Sequence, residues 1–591
     1  MEIKQRIKAL RQKMLEQGLD AYIILGTDPH MSEYIPDYWK ARQWISGFTG
    51  SLGNVVVTQE SAGLWTDSRY FIQAANQLKS TGIDLHKLRT EGFVDYPEWL
   101  LIQLEEGQTV GIDAFNAGIQ DVETLAKALK TKNINLKTDK DLVLDLWQDR
   151  PQIPNKQAFE QELEYAGQSR TDKIDNIRKE MKKHGATHHL VASLDDIAWI
   201  MNIRGCDVDY NPVVISYLLI SQNDTVLFTH TNKVSDNLKA SLDNDNIRLA
   251  EYGDIANELE QITEPTCFLL DANRLNYRLY QIIKATHKVV LAENPSVLMK
   301  SIKNATEIEG FRKACIKDGV ALTKFWYWLE NHINEEHTEL SLAEVIRGYR
   351  AEQEGFMGES FNSIVAYKEN AALPHYSATP DSYSVVMPKG LLLIDSGGQY
   401  KEGTTDITRT MPVGKLTQEE KDDYTLVLRG MINLSRIKFP QGARGCNIDF
   451  AARQPLWNAG LDYGHGTGHG VGSFLNVHEG PQSIRQEIKD QAVLPGMVTS
   501  NEPGCYKEGR HGIRHENLIL CGEESKTEFG TFLGFITLTM CYFDTSVLNL
   551  DLMTEEEIDW LNDYHRMVYM ALSPLLDEEH AVWLLKKTAL I

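Results

Sequence analysis

The hydrophobic pattern at the start of the chain predicts a helix followed by a buried strand. Apolar residues recur with the 3.6-residue period of a helix across Ile3–Gln17, and Gly18 suits the left-handed conformation that often ends a helix. The apolar positions of this helix are Ile7, Leu10, Met14 and Leu15. The continuous apolar run Ala21–Leu25 comes next and predicts the strand.

A second segment repeats this order of elements. Helical spacing starts again at Thr171, Gly185 ends it, and the apolar run Leu190–Ala192 follows. Leu64–Asp67 and Leu227–His230 also occupy similar places in the two segments. Because helices alternate with short strands in both copies, the pattern predicts two α/β domains.

We expect these two domains to span residues 1–150 and 156–300. Between them lies Gln148–Asn155, a stretch that contains two prolines. Because proline interrupts regular structure, this stretch is the predicted linker.

A third domain is expected over residues 301–591. Near its start, Asn304 and Glu307 have the spacing of a capping box, and an amphipathic helical pattern follows to about Glu330. Helices then alternate with paired strands. This domain carries all the strong chemical motifs of the chain.

Composition and charge exclude several classes of protein. The 591 residues are too many for one core, and Lys+Arg 60 against Asp+Glu 83 gives a net charge of −23. No Lys/Arg block provides the basic face of a nucleic-acid binder. No run reaches the ~18 apolar residues of a membrane span, and the N-terminal stretch lacks the apolar segment of a secretory signal. The seven cysteines contain no C-x-x-C pair, which fits reduced thiols in a cytoplasmic protein better than a disulfide framework.

Two aspartates flank a glycine-rich reversal within Leu391–Arg409. We centre the reversal between Tyr400 and Lys401. Asp395 and Asp406 then lie opposite each other on one sheet face, with Cβ atoms ~5 Å apart. Two carboxylates that close repel each other, and apolar surroundings strengthen the repulsion. A divalent cation would remove it; the alternative is a solvated hairpin with two incidental acids.

Three histidines follow in a glycine-rich region. Five of the nine residues in Gly464–Gly472 are glycine, which excludes a stable helix, so His465 and His469 do not form a helical zinc motif. Glycines let the backbone pack closely around a ligand. His478 follows in the same region. An isolated histidine is more often structural, but three within fourteen residues indicate a functional role for at least one.

Two glutamates complete the set of candidate metal ligands. Glu502 and Glu516 each lie on or beside a predicted strand, with a predicted hairpin between them. Each alone is more often a surface residue than a ligand. Together with two aspartates and a histidine they suit two divalent ions of the Mn²⁺, Co²⁺ or Zn²⁺ kind, whereas structural zinc favours cysteine and calcium loops need denser acids. Two such metals can acidify a bridging water and polarise a carbonyl, which indicates a hydrolase.

These motifs, in this order, resemble those of the aminopeptidase P (Xaa-Pro aminopeptidase) branch of the pita-bread metallopeptidases. The resemblance rests on the GHGTGHGVG block with its following NVHEGP, the NEPG turn, the IRHEN strand and Pro374–Tyr376. Phe48–Ser51 and Trp65–Tyr70 fit as well, although Ser68 stands where a glycine is frequent. The chain resembles the long cytosolic form, which implies two creatinase-like α/β domains before an α+β pita-bread catalytic domain.

The resemblance implies a role for each candidate ligand. Asp395 would hold one metal ion, and His469 and Glu502 would complete the shell of the other. Asp406 and Glu516 would bridge both ions. A hydroxide between the ions would attack the scissile carbonyl, and Glu502 would also accept a proton.

It also implies residues that handle the substrate. His375 and His478 would steady the substrate carbonyl and the tetrahedral intermediate, and His465 would line the site near the substrate proline. Arg514 would orient the carboxylates. Arg69 would reach the peptide beyond the proline, although a domain-packing salt bridge explains it equally well.

The implied activity is hydrolysis of the bond between an N-terminal residue and a following proline, with two divalent ions per subunit. Manganese is expected, with zinc or cobalt as alternatives, and the partners would be peptides with proline second and another copy of the chain in a homodimer. The proline preference comes from the resemblance alone, although proline lacks an N–H and has a fixed φ. A prolidase, specific for Xaa-Pro dipeptides, is the enzymatic alternative, and a metal-free peptide- or histone-binding protein of the same fold is the non-enzymatic one.

Overall fold

The computed structural model describes residues 1–591, which separate into two units. The first unit comprises Met1–Glu160 and Gln168–Ser296, and the second comprises Gln161–Gly167 and Val297–Ile591. No helix combines the length and apolar character needed to cross a bilayer.

The regular elements are numbered in chain order. The α-helices are α1 (Ile3–Gln17), α2 (Ala41–Ser46), α3 (Phe71–Gln77), α4 (Tyr96–Gln103), α5 (Ile119–Lys130), α6 (Leu163–Ala166), α7 (Arg170–Lys183), α8 (Leu194–Met201), α9 (Asp236–Asn244), α10 (Ile255–Gln261), α11 (Tyr277–Thr286), α12 (Pro295–Ser301), α13 (Ala305–His332), α14 (Glu339–Ala351), α15 (Gln418–Ser435), α16 (Gly445–Asn458), α17 (Glu555–Leu572) and α18 (Glu578–Lys587). Single 3₁₀ turns occur at Asp37–Trp39, Thr231–Lys233, Tyr252–Asp254, Lys368–Ala372, Thr545–Val547, Leu550–Leu552 and Ser573–Leu575.

The strands form eight sheets. They are β1 (Ala21–Ile24), β2 (Asn54–Thr58), β3 (Ala62–Thr66), β4 (Asp84–Lys87), β5 (Thr109–Ile112), β6 (Asn135–Lys137), β7 (Phe159–Glu160), β8 (His188–Val191), β9 (Ile203–Arg204), β10 (Ser216–Ser221), β11 (Thr225–Thr229), β12 (Arg248–Glu251), β13 (Cys267–Leu270), β14 (Lys288–Leu291), β15 (His337–Thr338), β16 (Phe356–Glu359), β17 (Ile364–Tyr367), β18 (Val385–Val386), β19 (Leu391–Ser396), β20 (Gly398–Tyr400), β21 (Gly403–Thr404), β22 (Ile407–Pro412), β23 (Phe439–Pro440), β24 (Gly468–Gly470), β25 (Glu479–Ile484), β26 (Val498–Asn501), β27 (Gly504–Lys507), β28 (His511–Arg514), β29 (Asn517–Thr527) and β30 (Gly530–Thr537).

The first unit contains two six-stranded sheets of the same topology. One has the order β4-β3-β2-β1-β5-β6 and the other β12-β11-β10-β8-β13-β14. In each, the first strand in sequence is antiparallel to the next strand of its sheet and parallel to the fifth. The predicted duplication of an α/β domain is confirmed by this shared strand order.

Local sequence signals fix several element ends in this unit. The first helix has the predicted bounds, and Gly18 adopts φ 64°, which is costly for a residue with a Cβ. The second copy begins at Arg170, one residue before the predicted Thr171, because Ser169 caps the helix by accepting from the Asp172 N–H. The stretch predicted as a linker contains neither helix nor strand.

In the second unit, α13 begins with the predicted capping box. The Asn304 side chain accepts from the Glu307 N–H at 3.0 Å, and the Glu307 carboxylate accepts from the Asn304 N–H at 2.9 Å. The helix continues to His332, two residues beyond the expected end. The short segment Gln161–Gly167 joins this unit, because the Ala166 carbonyl accepts from the Asn304 side chain at 2.9 Å.

Two sheets of the second unit bring the chemical motifs together. β19 lies between β17 and β22, and a six-stranded sheet has the order β23-β30-β29-β26-β24-β25. Their cores are apolar: Leu392 and Ile394 on β19 and Ile519 on β29 are at most 2% exposed. The strands therefore provide rigid supports whose ends can present polar side chains.

Candidate metal centre

Asp395 and Asp406 lie on the same hairpin, but not directly opposite each other. Asp395 on β19 pairs with Thr408 on β22, and the two-residue turn consists of Lys401 and Glu402. The predicted turn was therefore wrong by one residue, and this error changes the residue opposite Asp395 by two, from Asp406 to Thr408. Because strand side chains alternate with period two, the resulting displacement of two residues keeps the carboxylates on one face. The negative charge of Asp406 accordingly acts on Asp395.

His469 lies on the short strand β24, and the glycines on either side of it allow this strand to pack between its neighbours. A Cβ on Gly468 would lie 2.0 Å from the Ser500 carbonyl oxygen, and one on Gly470 would lie 2.4 Å from that of Glu479. Only glycine lets β24 fit between its neighbours, β26 and β25. The glycine-rich block thus serves to bring a histidine into a sheet, rather than to form a free loop.

The orientation of the His469 ring follows from one hydrogen bond. Its Nδ1 lies 3.0 Å from the Gly470 carbonyl oxygen, which can only accept, so Nδ1 donates. Nε2 is left facing the acids, 3.4 Å from Asp406 Oδ2 and 3.5 Å from Glu502 Oε1. This tautomer presents Nε2 for metal binding.

The two glutamates lie one residue outside their strands. Glu502 follows β26, and its N–H donates to the Thr467 carbonyl at 2.8 Å. Glu516 precedes β29, and its N–H donates to the Thr408 carbonyl at 3.0 Å. The Thr408 hydroxyl also donates to Glu516 Oε2 at 2.8 Å. Thr408 therefore fixes both the backbone and the carboxylate of Glu516.

The five predicted ligands converge on one place. Ligand atoms of Asp406, His469 and Glu516 all lie within 4.8 Å of one another. Asp395 and Glu502 adjoin this group, since their charges act on Glu516 and on each other. Four carboxylates and one imidazole thus surround a single volume.

This concentration of negative charge is unfavourable without cations. Burial, reinforced by the neighbouring carboxylates, raises the pKa of Asp395 and Glu516 and raises that of Glu502 to about 7. Burial also opposes protonation of His469, but Asp406 and Glu502 outweigh it and raise the His469 pKa to about 9. The protein alone would keep protons in this site to reduce repulsion.

Two divalent cations fit this arrangement. Asp395 Oδ1 is buried and has no hydrogen-bond partner, so a ligand position is available on the carboxylate. Carboxylate oxygens with one imidazole nitrogen suit borderline and hard divalent ions, and the absence of thiolates disfavours a structural zinc site. The donor set therefore agrees with a dinuclear centre of the predicted kind.

Arg514 contacts the site through three separate bonds. It donates to Asp395 Oδ2 at 2.5 Å and to the Thr408 hydroxyl at 3.2 Å. It also donates to the Tyr506 hydroxyl at 2.7 Å, and that hydroxyl lies 2.7 Å from His465 Nε2. Since His465 Nδ1 faces the Gly466 carbonyl at 2.8 Å, Nδ1 donates and Nε2 accepts from Tyr506. A chain of hydrogen bonds therefore links Asp395 to His465.

The remaining predicted site residues lie in different surroundings. His478 is half-buried, and its ring stands perpendicular to that of His469 with centroids 4.4 Å apart. His375 is half-buried in the irregular segment after β17. Arg69 belongs to the first unit, where it forms an ion pair with Asp67 at 2.9 Å.

Several residues that support the site escaped the sequence analysis. Thr408 would have emerged from a correct hairpin register, because it lies opposite Asp395. Tyr506 has no local signal, since its bond to Arg514 joins the two strands of a separate hairpin. Glu339 is a buried acid distant in sequence from every motif, so no pattern marked it.

Family models match nearly the whole chain. The model of metallopeptidase family M24 matches residues 309–523, and that of the C-terminal region of peptidase M24 matches residues 531–591. Two models of the creatinase/prolidase N-terminal domain match residues 6–142 and 149–307. The predicted fold class, two creatinase-like α/β domains followed by a metallopeptidase domain, is confirmed.

Individual relatives extend over the full length. The chain is 39% identical over 595 residues to Xaa-Pro aminopeptidase 1 of Dictyostelium discoideum, covering 98% of this chain and 94% of that protein. It is 33% identical to the X-prolyl aminopeptidase of Caenorhabditis elegans, a cytosolic enzyme with a di-nuclear active site, whose crystal structure covers 100% of both chains with a TM-score of 0.95. Prolidase from Pyrococcus furiosus, 22% identical with a TM-score of 0.50, covers 61% of this chain and 98% of its own and shares the fold alone. This chain belongs to the Xaa-Pro aminopeptidase family of M24 metallopeptidases.

Proposed function

We propose that this protein removes the N-terminal residue from peptides whose second residue is proline. The observation that carries the proposal is the convergence of four carboxylates and one imidazole in a chain related over its whole length to Xaa-Pro aminopeptidases. Hydrolysis of a peptide bond requires an activated water and a stabilised carbonyl oxygen. A dinuclear centre supplies both.

The five ligands would divide two divalent ions between them. Asp395 would hold one ion, His469 and Glu502 the other, and Asp406 and Glu516 would bridge the pair. When bound, the ions supply an acidified water and Lewis-acid polarisation of the scissile carbonyl. We propose manganese as the native metal, with zinc and cobalt as alternatives, because the oxygen-rich donor set accepts all three.

The other residues of the site would act on protons and on substrate charge. Glu502 would also accept a proton from the attacking water and pass it on, as the family resemblance implies. His375 and His478 would donate hydrogen bonds to the carbonyl oxygen as negative charge develops there. His465, fixed by Tyr506, would line the position of the substrate proline. Arg514 would hold Asp395 in its ligating orientation.

Arg69 is proposed to contact the peptide beyond the proline. Its ion pair with Asp67 also suits a purely structural role, and the kinetics of an alanine variant distinguish the two roles. Arg69→Ala should raise KM severalfold for peptides with residues beyond the proline and leave Xaa-Pro dipeptides nearly unchanged. A similar change for both lengths would favour the structural role.

Three wider assignments are also proposals. We place domain boundaries at residues 1–150, 156–300 and 301–591, near the limits of the matching family models. We propose a cytoplasmic location, in line with the description of the Caenorhabditis elegans enzyme as cytosolic. We propose a homodimer, as the family resemblance implies; sedimentation velocity would test it.

A peptide-library digest tests the activity directly. The chelated protein is incubated with and without Mn²⁺, and cleavage positions are determined by mass spectrometry. We expect loss of a single N-terminal residue, only before proline and only with metal. Cleavage at other positions, or none with any of the three metals, would refute the proposal.

Substrate length separates the aminopeptidase from a prolidase. We expect Xaa-Pro-Pro and longer peptides to be cleaved more efficiently than Xaa-Pro dipeptides. The full-length match to Xaa-Pro aminopeptidases favours this outcome. Activity restricted to dipeptides would identify a prolidase instead.

A further inference from the structure

The segment that carries His375 is long and irregular. It runs from the end of β17 to the start of β18, through residues 368–384, and contains only the 3₁₀ turn Lys368–Ala372 as regular structure. A segment of this length has a large conformational entropy to lose, so a well-defined position for His375 requires specific anchors.

His375 itself lies in a proline-led turn. The Tyr376 N–H donates to the Leu373 carbonyl at 3.0 Å, which places Pro374 and His375 at the two central positions. Proline presets φ at the first of these positions. The turn defines the local direction of His375, and the anchors on either side must define its location.

One buried carboxylate, that of Glu339, provides these anchors. Its Oε1 accepts from the Tyr367 N–H at 2.8 Å and from the Asn370 side chain at 2.9 Å. Its Oε2 accepts from the Tyr376 hydroxyl and the Ser384 N–H, both at 2.7 Å. The bonded positions lie at the start, middle and end of the segment, and one of them directly follows His375.

The surroundings of Glu339 make this set of bonds energetically necessary. Glu339 is 0% exposed, and the partners of its carboxylate are neutral N–H and O–H groups. A buried charge with neutral partners is stable only if its lone pairs are satisfied. Glu339 is also the first residue of α14, where the helix dipole favours negative charge. Displacing the segment would leave this carboxylate without its donors.

The same segment lies against the hairpin that carries Arg514. A Cβ on Gly512 of β28 would lie only 1.7 Å from the Ala371 carbonyl oxygen. The segment therefore packs directly on the strand that ends at Arg514, which donates to Asp395. The position of His375 relative to the metal ligands is thereby coupled to the fit of this segment.

We propose that Glu339 is a positioning residue that sets the place of His375 in the reaction, with Tyr376 as the link between them. The proposal rests on the function proposed above, because it assigns His375 a hydrogen bond to the substrate carbonyl. A displacement of a catalytic group by about 1 Å can reduce the rate about 100-fold. Loosening the anchor should lower kcat while the metal ligands stay in place.

Two variants and a matched control test the proposal. Glu339→Gln replaces an acceptor oxygen by an amide that clashes with the surrounding donors, and Tyr376→Phe removes one hydroxyl from the anchor. Tyr327→Phe is the control, because it also removes a tyrosine-to-glutamate hydrogen bond, with Glu579, on other elements of the same unit. If Glu339→Gln fails to fold, Tyr376→Phe decides.

Hydrogen–deuterium exchange provides a readout independent of activity. In Tyr376→Phe, peptides from residues 368–384 should exchange faster than in wild type, while peptides from β19, β24 and β29 should be unchanged. Tyr327→Phe should leave residues 368–384 unchanged. Equal exchange of this segment in wild type, Glu339→Gln and Tyr376→Phe would overturn the anchoring.

Kinetic measurements on Tyr376→Phe, alone and combined with His375→Ala, test whether the anchor acts through His375. Tyr376→Phe should lower kcat about 10-fold at normal metal content, and the loss should nearly vanish when His375→Ala is already present. An equal loss in both backgrounds would overturn the proposed link. If the wild-type protein does not cleave Xaa-Pro peptides, the proposed function and the positioning role fail together, but the exchange result still decides whether Glu339 anchors the segment.

Discussion

The cage of five candidate metal ligands and the segment carrying His375 are positioned by different means. The cage residues Asp395, Asp406, His469, Glu502 and Glu516 lie on strands or within one residue of them, so sheet register fixes their positions. The His375 segment has almost no regular structure and depends on one buried carboxylate. The first region concentrates charge, and the second distributes neutral hydrogen bonds around a single charge.

The two regions meet different requirements of one active site, metal binding and substrate contact. A metal cage must tolerate strong repulsion, and strands with their hydrogen-bond ladders provide the necessary rigidity. A histidine that contacts substrate, the role proposed for His375, needs a defined position but no charge compensation, and an anchored loop can provide that position. Damage to the cage should therefore remove metal and activity together, whereas damage near the histidines should remove activity alone.

The largest effect is expected in the centre of the cage. Asp406→Ala should abolish both turnover and metal binding, because a proposed bridge contacts both ions. Metal content by mass spectrometry and cleavage of Xaa-Pro-Pro peptides measure the two effects. Asp563→Ala, on the exposed surface, is the control and should change neither. An active Asp406→Ala protein with two bound ions would contradict the bridging assignment.

A histidine beside the cage should affect activity without affecting metal binding. His478→Ala should keep its metal and lose about 100-fold or more in kcat, since it removes the donor proposed to stabilise the developing charge. The exposed His184 provides a control alanine variant. Near-normal kcat would exclude His478 from the mechanism, and loss of metal would place it in the cage.

An intermediate effect is expected for Arg514, which contacts a candidate ligand but is not itself one. Arg514→Lys retains the positive charge but replaces the three guanidinium nitrogens that donate to Asp395, Thr408 and Tyr506 by a single ammonium nitrogen. Metal affinity should fall by about 10- to 100-fold, the range for residues that orient ligands. Titration with Mn²⁺ measures the change. Unaltered affinity would show that charge alone suffices at this position.

The smallest effect is a pH dependence of the metal-free protein. The folded-state pKa of Glu502, about 7, exceeds its ordinary value of 4.5, so folding stability falls as pH rises between these values. The His469 pKa, raised from 6.5 to about 9, adds a contribution that is complete below pH 6.5 and lost as pH rises through 9.

Melting temperatures of chelated protein from pH 5 to pH 9 test this dependence. They should decline across the range, and Glu502→Gln should flatten the decline between pH 5 and pH 7. Stabilisation by added Mn²⁺ should increase from pH 6 to pH 8, because the ions displace protons. A chelated protein whose melting temperature rises over this range would contradict the charge repulsion inferred for the cage.

Local signals explain which parts of the structure the sequence could predict. The helix Ile3–Gln17 and the capping box of Asn304 depend on neighbouring residues, and both were predicted correctly. The repeat of the α/β domain was visible because helix, glycine and apolar strand recur in the same order.

The hairpin register and the anchoring bonds depend on packing that no short motif encodes. The turn shifted by one residue because Tyr400, expected in the turn, pairs with Gly403 and leaves Lys401 and Glu402 as the turn residues. The hydrogen bond between Glu339 and Tyr376 spans 37 residues, and although Tyr376 belongs to a recognisable motif, nothing in the sequence pairs it with Glu339. The candidate ligands were recognisable by residue type and order, whereas the residues that hold them in position follow from the fold.

Anomalous scattering from crystals grown with Mn²⁺ would test the central claim most directly. We predict two peaks, one bonded to Asp395, one to His469 and Glu502, and both to Asp406 and Glu516. A map with no peak in this volume, or with manganese on other residues, would contradict the account.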